Sequence, residues 1–175
     1  MSEENVVTYE LEGEIALIGL NRPTKRNAMS PELHFEMEEA LDELALDPDT
    51  KVLIITGAGK AFCAGGDIRF FYDVGTKTPM QDSALLEDFF TEEYALNHLI
   101  HFYPKPYIAL MNGVVMGGGM GMQNQQSTAE AANAYGNIMA AQAASGAEPE
   151  HWMKSFWRPA MGWLYMLICF CDFVA

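Results

Sequence analysis

Lys60-Ala61-Phe62-Cys63-Ala64-Gly65-Gly66-Asp67 and, about fifty residues later, Met116-Gly117-Gly118-Gly119-Met120-Gly121 are the stretches whose reading decides the fold. Each follows a short apolar run that reads as a buried strand, and each precedes a segment able to start a helix. Glycine lets another atom come close to the backbone and tolerates dihedrals closed to other residues. Two such turns suit a pair of backbone N–H groups converging on one developing oxyanion. Taken singly, each is equally well a plain strand-to-helix turn or a close-packed helix start. The triple glycine is not a dinucleotide fingerprint, because Met122 stands where a third glycine is needed, and no Gly-Lys-Ser/Thr follows to make a P-loop.

Working outward, Val6 to Leu11 and Ile15 to Leu20 read as two strands split by a turn at Glu12-Gly13-Glu14. Ser30-Pro31 is a helix start, with Ser at the N-cap and Pro at the first helical position. Leu33, Met37, Ala40, Leu41 and Leu44 then repeat at helical spacing until Asp47-Pro48-Asp49 closes the helix. Val52-Leu53-Ile54-Ile55 reads as a fully buried strand by length and β-branching. Asp67 has the carboxylate to cap a helix start, but Phe70 to Gln81, with Gly75 and Pro79, reads as an irregular surface loop. A second long helix is expected from Ser83 to about Phe102, with Leu86, Phe89, Phe90, Leu96, Leu99 and Ile100 on its apolar face. Pro104 and Pro106 stop it. Tyr107 to Met111 and Val114 to Met116 are further strands around Asn112-Gly113, and the triple glycine opens the next element. This alternation argues an α/β layer fold with ligand sites at strand-to-helix turns.

The chain has 175 residues and a formal net charge of −14. It is long enough to bury a sizeable core, and its charge excludes nucleic acid as a partner. An anionic ligand needs local cations, and Lys25, Arg26, Lys60 and Arg69 flank the glycine turns. Cys63, Cys169 and Cys171 are odd in number, and Met1-Ser2-Glu3-Glu4 has the wrong sign for a signal or transit peptide; reduced thiols in the cytoplasm are expected. Cys169-x-Cys171 has no matching Cys or His pair, so no metal site is expected. His34, His98, His101 and His151 accompany no nucleophile signature and read as structural. After Met122 the composition shifts. Gln123 to Ala147 is rich in Ala, Gln, Asn and Ser, and Trp163 to Phe170 is a run of eight apolar residues, too short to span a bilayer. The expected division is a core over 1–122 and a divergent tail over 123–175.

Three motifs in this order and spacing, Asn21-Arg22-Pro23-x-x-x-Asn27-Ala28, Lys60 to Ile68, and Asn112-Gly113-x-x-Met116-Gly117-Gly118-Gly119, resemble the crotonase (enoyl-CoA hydratase/isomerase) superfamily. Four stretches resemble its 3-hydroxyisobutyryl-CoA hydrolase branch: Cys63-Ala64-Gly65-Gly66-Asp67-Ile68-Arg69, Phe89-Phe90-x-x-Glu93-Tyr94-x-Leu96-Asn97, Pro104-Lys105-Pro106-Tyr107-Ile108-Ala109, and Met116-Gly117-Gly118-Gly119-x-Gly121. The likeness covers about Val6 to Met122.

The resemblance implies an α/β fold, the crotonase-like (ClpP/crotonase) ββα superhelix, here truncated, and a CoA-thioester hydrolase of valine catabolism. It makes the N–H groups of Gly66 and Gly118 the catalytic oxyanion hole. Ala28, Ala64, Asp67 and Ile68 line the path of the CoA moiety, with Arg69 and Lys25 near its phosphates. Glu93 becomes the substrate-contacting acid; read without the resemblance, it is equally a solvated helix carboxylate. Gly121 stands where the hydratases carry one of two catalytic glutamates, which favours hydrolysis over an enoyl-CoA hydratase or isomerase, the alternative within the family. The partner implied is an acyl-CoA, with no cofactor beyond the coenzyme A of the substrate, and self-association into a homo-oligomer is part of the expectation. The branch's downstream Met-Pro-Glu followed by Phe-Pro-Asp-x-Gly-Gly is not found in this sequence. Glu148-Pro149-Glu150 is the nearest acidic proline motif, and its surroundings do not match. A catalytically dead, truncated or frameshifted fragment is therefore a further alternative.

Overall fold

The structure, a computed structural model, describes residues 5–77 and 84–122. Strands β1 (Val7–Glu12) and β2 (Ile15–Leu20) pair as an antiparallel hairpin. Its turn uses Gly13 at φ 60°, a left-handed value that costs glycine little. β2 pairs in parallel with β3 (Val52–Gly57), and β3 with β5 (Tyr107–Leu110), giving one sheet in the order β1-β2-β3-β5. A second small sheet pairs β4 (Ala61–Cys63) with β6 (Val114–Val115), also in parallel. Helices α1 (Pro31–Leu46), α2 (Ile68–Gly75) and α3 (Ala84–His101), with 3-10 turns at Pro23–Lys25 and Gly117–Met120, complete the described elements.

The chain twice follows the same path: along a strand of the main sheet, across to the small sheet, and out through a glycine turn. β3 leads to β4 and α2; β5 leads to β6 and the Gly117–Met120 turn. Both crossings need glycine, because a Cβ on Gly57 would overlap the Ala61–Phe62 backbone and one on Gly113 would overlap that of Lys60. Asn112 locks them together. Its Oδ1 accepts from the Gly57 N–H at 3.2 Å and its Nδ2 donates to the Gly57 carbonyl at 2.6 Å. With the crossings tied, β4 and β6 lie side by side, and so do the glycine turns that leave them.

The helix start at Ser30-Pro31 is as the sequence leads one to expect, with Ser30 Oγ accepting from the Leu33 N–H at 3.3 Å. Leu33, Met37, Leu41 and Leu44 pack into one core with Ile18, Leu20, Leu53 and Ile55. Each such side chain contributes about 1.5–3 kcal/mol by leaving water. All four residues of Val52 to Ile55 are 2% exposed or less, as a parallel strand inside a covered sheet should be. Lys105 Nζ donates to the Leu44 carbonyl and, at 2.6 Å, to that of Asp47, a cation at the C-terminus of α1. His34, read as structural, is fully buried with its ring 4.8 Å from that of Phe89.

Three readings are corrected or bounded. Phe70 to Gln81 is not a loop throughout: α2 runs to Gly75. Asp67 caps it, accepting from the N–H groups of Arg69 at 3.1 Å and Phe70 at 3.4 Å, and Phe70, Phe71 and Val74 bury enough to hold it. Gly75 is its last residue rather than a break within it. The triple glycine itself forms a 3-10 turn over Gly117–Met120. Ser83, Pro79, Gln81 and the whole expected tail, 123–175, lie outside the described residues. No helix among the described residues is long and apolar enough to cross a membrane.

Candidate functional site

The loop between β2 and α1 is the frame of the site. Arg26 and Asn27 both adopt φ 53°, and Asn is among the side chains that tolerate this region. Asn27 is fully buried, so its amide must find partners inside. It donates to the Ala58 and Ala61 carbonyls at 3.0 and 2.8 Å and accepts from the Arg22 N–H at 2.9 Å. Arg22 then reaches forward, pairing with Asp67 at 2.9 Å and donating to the Ala28 carbonyl. Met29 follows as a one-residue parallel bridge to Gly66: its N–H donates to the Gly65 carbonyl at 2.8 Å, and its carbonyl accepts from the Asp67 N–H at 2.8 Å. Asn21-Arg22-Pro23-x-x-x-Asn27-Ala28 thus fastens the first glycine turn in place.

The second turn abuts the first. Gly65 sits at φ 85°, and a Cβ there would lie 2.9 Å from the Met116 carbonyl oxygen. The Met116 N–H donates to the Cys63 carbonyl at 3.0 Å, and a Cβ on Gly119 would lie 2.6 Å from that same oxygen. Neither the Gly66 nor the Gly118 N–H has an acceptor among the described residues.

Glu93, midway along α3 and half-buried, sets its carboxylate against Gly118. A Cβ on Gly118 would overlap both the Glu93 Oε1 and the Met29 methyl. Burial holds the Glu93 pKa above the usual carboxylate range. On the other side, Phe71 covers Gly66, where a Cβ would come within 2.8 Å of the ring, and Phe89 backs Phe71 at 4.8 Å between centroids. Two N–H groups without an acceptor among the described residues are therefore flanked by one carboxylate, one thioether and an aromatic wall.

Among the other residues expected at the site, Ala28 is buried and Ala64 half-buried, joined through the Ala64 N–H to the Arg26 carbonyl at 3.1 Å. Asp67 stands at the start of α2 with its oxygens engaged by Arg22 and two backbone N–H groups. Burial by itself would raise its pKa, but these bonds outweigh it and hold the group below its ordinary value. Ile68, 80% exposed, and Arg69 and Lys25, both exposed, lie outward of this seam. An open cleft of about 690 Å³ runs beside the glycine pair rather than over it, lined by Arg22, Ser30, Asp67, Arg69, Phe70 and Glu92 among others. The fold thus brings Gly66, Gly118 and Glu93 together and strings Ala28, Ala64 and Asp67 along an adjoining seam.

Cys63 lies beneath the site as a buried, unpaired thiol whose pKa burial pushes up, with Glu93 adding to the rise, so it is no ready nucleophile. No group of three metal-ligating side chains occurs among the described residues. Sequence reasoning passed over Met29, Phe71 and Asn97. For Asn97 a signal existed: Glu93 and Asn97 are one turn apart on α3, opposite Gly118 and Gly121.

The enoyl-CoA hydratase/isomerase family matches residues 15–133. The mitochondrial 3-hydroxyisobutyryl-CoA hydrolase of Danio rerio is 44% identical over 117 residues, covering 66% of this chain and 30% of that protein. That of Rattus norvegicus is 42% identical over 122 residues, covering 69% and 31%. Among solved structures, a carnitinyl-CoA dehydratase from Mycobacterium thermoresistibile superposes with a TM-score of 0.61 at 37% identity, over 66% of this chain and 33% of that one. The chain spans about 30% of the length of these curated relatives. It belongs to the enoyl-CoA hydratase/isomerase family and has the crotonase fold.

Proposed function

From that membership, we propose that the chain takes a short 3-hydroxyacyl thioester of coenzyme A, of the 3-hydroxyisobutyryl-CoA type, and that the chemistry it serves is hydrolysis of the thioester. One observation carries this reading: the N–H groups of Gly66 and Gly118, on two abutting turns, have no acceptor among the described residues, and the Glu93 carboxylate lies beside them. Water adds to the thioester carbon, and the carbonyl electron pair moves onto oxygen, where the two N–H groups hold it. Collapse re-forms the carbonyl, breaks the carbon–sulfur bond and releases the thiolate of coenzyme A, which takes up a proton. Each oxyanion donor is worth roughly 10²–10³ in rate.

In this reading Glu93 holds the 3-hydroxyl of the acyl group. The CoA moiety follows Ala28, Ala64, Asp67 and Ile68, with Arg69 and Lys25 at its phosphates. Of these residues, Asp67 and Arg69 line the open cleft. Coenzyme A enters as part of the substrate, and no further cofactor is invoked. Gly121, in place of a hydratase glutamate, speaks against water addition to an enoyl-CoA. A buried, unpaired Cys63 thiol suits a reducing compartment, the cytoplasm in our reading. We divide the chain into a thioester-binding core over 1–122 and a divergent tail over 123–175.

A second reading has its own support. The Met-Pro-Glu and Phe-Pro-Asp pattern of the hydrolase branch is missing from the sequence. General acid–base help adds roughly 10²–10⁴ in rate, so a site without that help binds and polarises a thioester far better than it cleaves it. Release of free CoA from 3-hydroxyisobutyryl-CoA by the purified chain, with its own three thiols subtracted, separates the two readings. Release that Gly118→Pro abolishes identifies a working hydrolase. Stabilisation by the thioester without release identifies a binding fold lacking turnover. Neither release nor stabilisation rejects both.

A further inference from the structure

Asn97 is a polar residue beside the site to which neither the resemblance nor the proposed reaction gives a role. It lies one turn beyond Glu93 on α3, so the two side chains share a helix face, about 6 Å apart along the axis. The glycines opposite match that spacing. Glu93 fills the space of a Gly118 side chain, and the Asn97 amide fills that of Gly121: a Cβ on Gly121 would lie 2.6 Å from Asn97 Oδ1 and 2.8 Å from both Cγ and Nδ2. Asn97 Oδ1 is buried and has no hydrogen-bond partner among the described residues. A buried acceptor left unmade costs about 1–3 kcal/mol, a penalty that a donor arriving with a ligand removes.

We infer that Asn97 is a substrate-binding residue whose Oδ1 accepts the hydrogen bond of the acyl group's 3-hydroxyl, making the site selective for 3-hydroxyacyl over plain acyl thioesters. This rests on the proposed binding of CoA thioesters. The proposed oxyanion donors lie at Gly66 and Gly118, and Asn97 stands one helical turn from the carboxylate beside them. A hydroxyl gives one proton and can accept others. The Glu93 carboxyl, its pKa raised by burial, lies one turn away on the same helix face.

The test compares 3-hydroxyisobutyryl-CoA with isobutyryl-CoA by titration calorimetry on the full chain, with free CoA as reference. The wild type should prefer the hydroxyacyl thioester by at least about fivefold, the yield of one buried hydrogen bond. Asn97→Leu, of similar volume and without the amide, should cut the preference at least about threefold, Glu93 supplying what remains, and leave the affinity for free CoA, which lacks the acyl group, within about twofold. Gly121→Ala pushes the amide aside without replacing it and should give the same phenotype, so the inference survives a folding defect in either variant. Equal affinity of the wild type for both thioesters overturns the inference, as does a preference undiminished in both variants. A wild type that binds neither thioester nor CoA overturns the underlying reading as well, which separates the two failures.

Discussion

Gly118→Ala and Gly119→Ala, adjacent in sequence and identical in chemistry, should fail in different ways. At Gly118 the new methyl overlaps only the Glu93 carboxylate and the Met29 methyl, the free ends of two flexible side chains. Both can swing away, and alanine keeps the backbone N–H. The fold should therefore hold within about 1 kcal/mol, the range of an accommodated substitution, while Glu93 leaves its place. Losing one hydrogen bond of a buried site costs about 1–3 kcal/mol, so affinity for 3-hydroxyisobutyryl-CoA should fall roughly 5- to 150-fold, with free CoA little affected. At Gly119 the methyl would lie 2.6 Å from the Cys63 carbonyl oxygen, which is backbone of β4 and accepts from Met116. It cannot yield without moving the strand, and overpacking of this kind costs about 1–3 kcal/mol in stability. Urea unfolding and titration calorimetry read both quantities. Gly118→Ala that unfolds like Gly119→Ala, or that keeps wild-type affinity for the hydroxyacyl thioester, refutes the placement of Glu93 against Gly118.

Other outcomes follow from the same geometry. Glu93→Ala should weaken 3-hydroxyisobutyryl-CoA more than isobutyryl-CoA in the same titrations; equal loss for both removes the hydroxyl-holding role. Arg22→Met leaves the largely buried Asp67 carboxylate without its cation and frees the Ala28 carbonyl, which should cost about 3 kcal/mol in urea unfolding. Asp67→Asn on top should then cost little more. Burial brings the pKa of His34 from 6.5 down to about 4, with neither ring nitrogen hydrogen-bonded among the described residues. The unfolded chain therefore takes up a proton first as pH falls, and stability should drop between about pH 6.5 and pH 4 by about 3 kcal/mol and level off below. In His34→Leu that slope should flatten, read as melting temperature against pH.

Much of the fold was legible because its signals are local. Ser30-Pro31 marks the start of α1 to the residue, β2 has the bounds its apolar run suggests, and the glycine turns announce themselves by composition. α2 was misread in part because Gly75 and Pro79 look like breakers, whereas the capping carboxylate of Asp67 and the packing of Phe71 on Phe89 decide that segment. Asp67 carries two signals at once, a cap and a ligand-path residue; its ion pair with Arg22 is a long-range fact that no local pattern holds. The same is true of Met29, which meets Gly66 and Gly118 only once β4 and β6 are side by side. Asn97 stands within a recognisable motif, yet its meaning depends on Gly121 lying opposite it.

If the Gly66 and Gly118 N–H groups grip a thioester carbonyl oxygen, the infrared band of that carbonyl reports the grip. 3-Hydroxyisobutyryl-CoA labelled with ¹³C at the thioester carbon, compared with unlabelled material, isolates the band in the complex with the chain. The account predicts a shift to lower wavenumber on binding, because two donors draw electron density onto oxygen, and loss of that shift in Gly118→Pro. A bound thioester whose carbonyl band matches that in water, with or without Gly118→Pro, would contradict it.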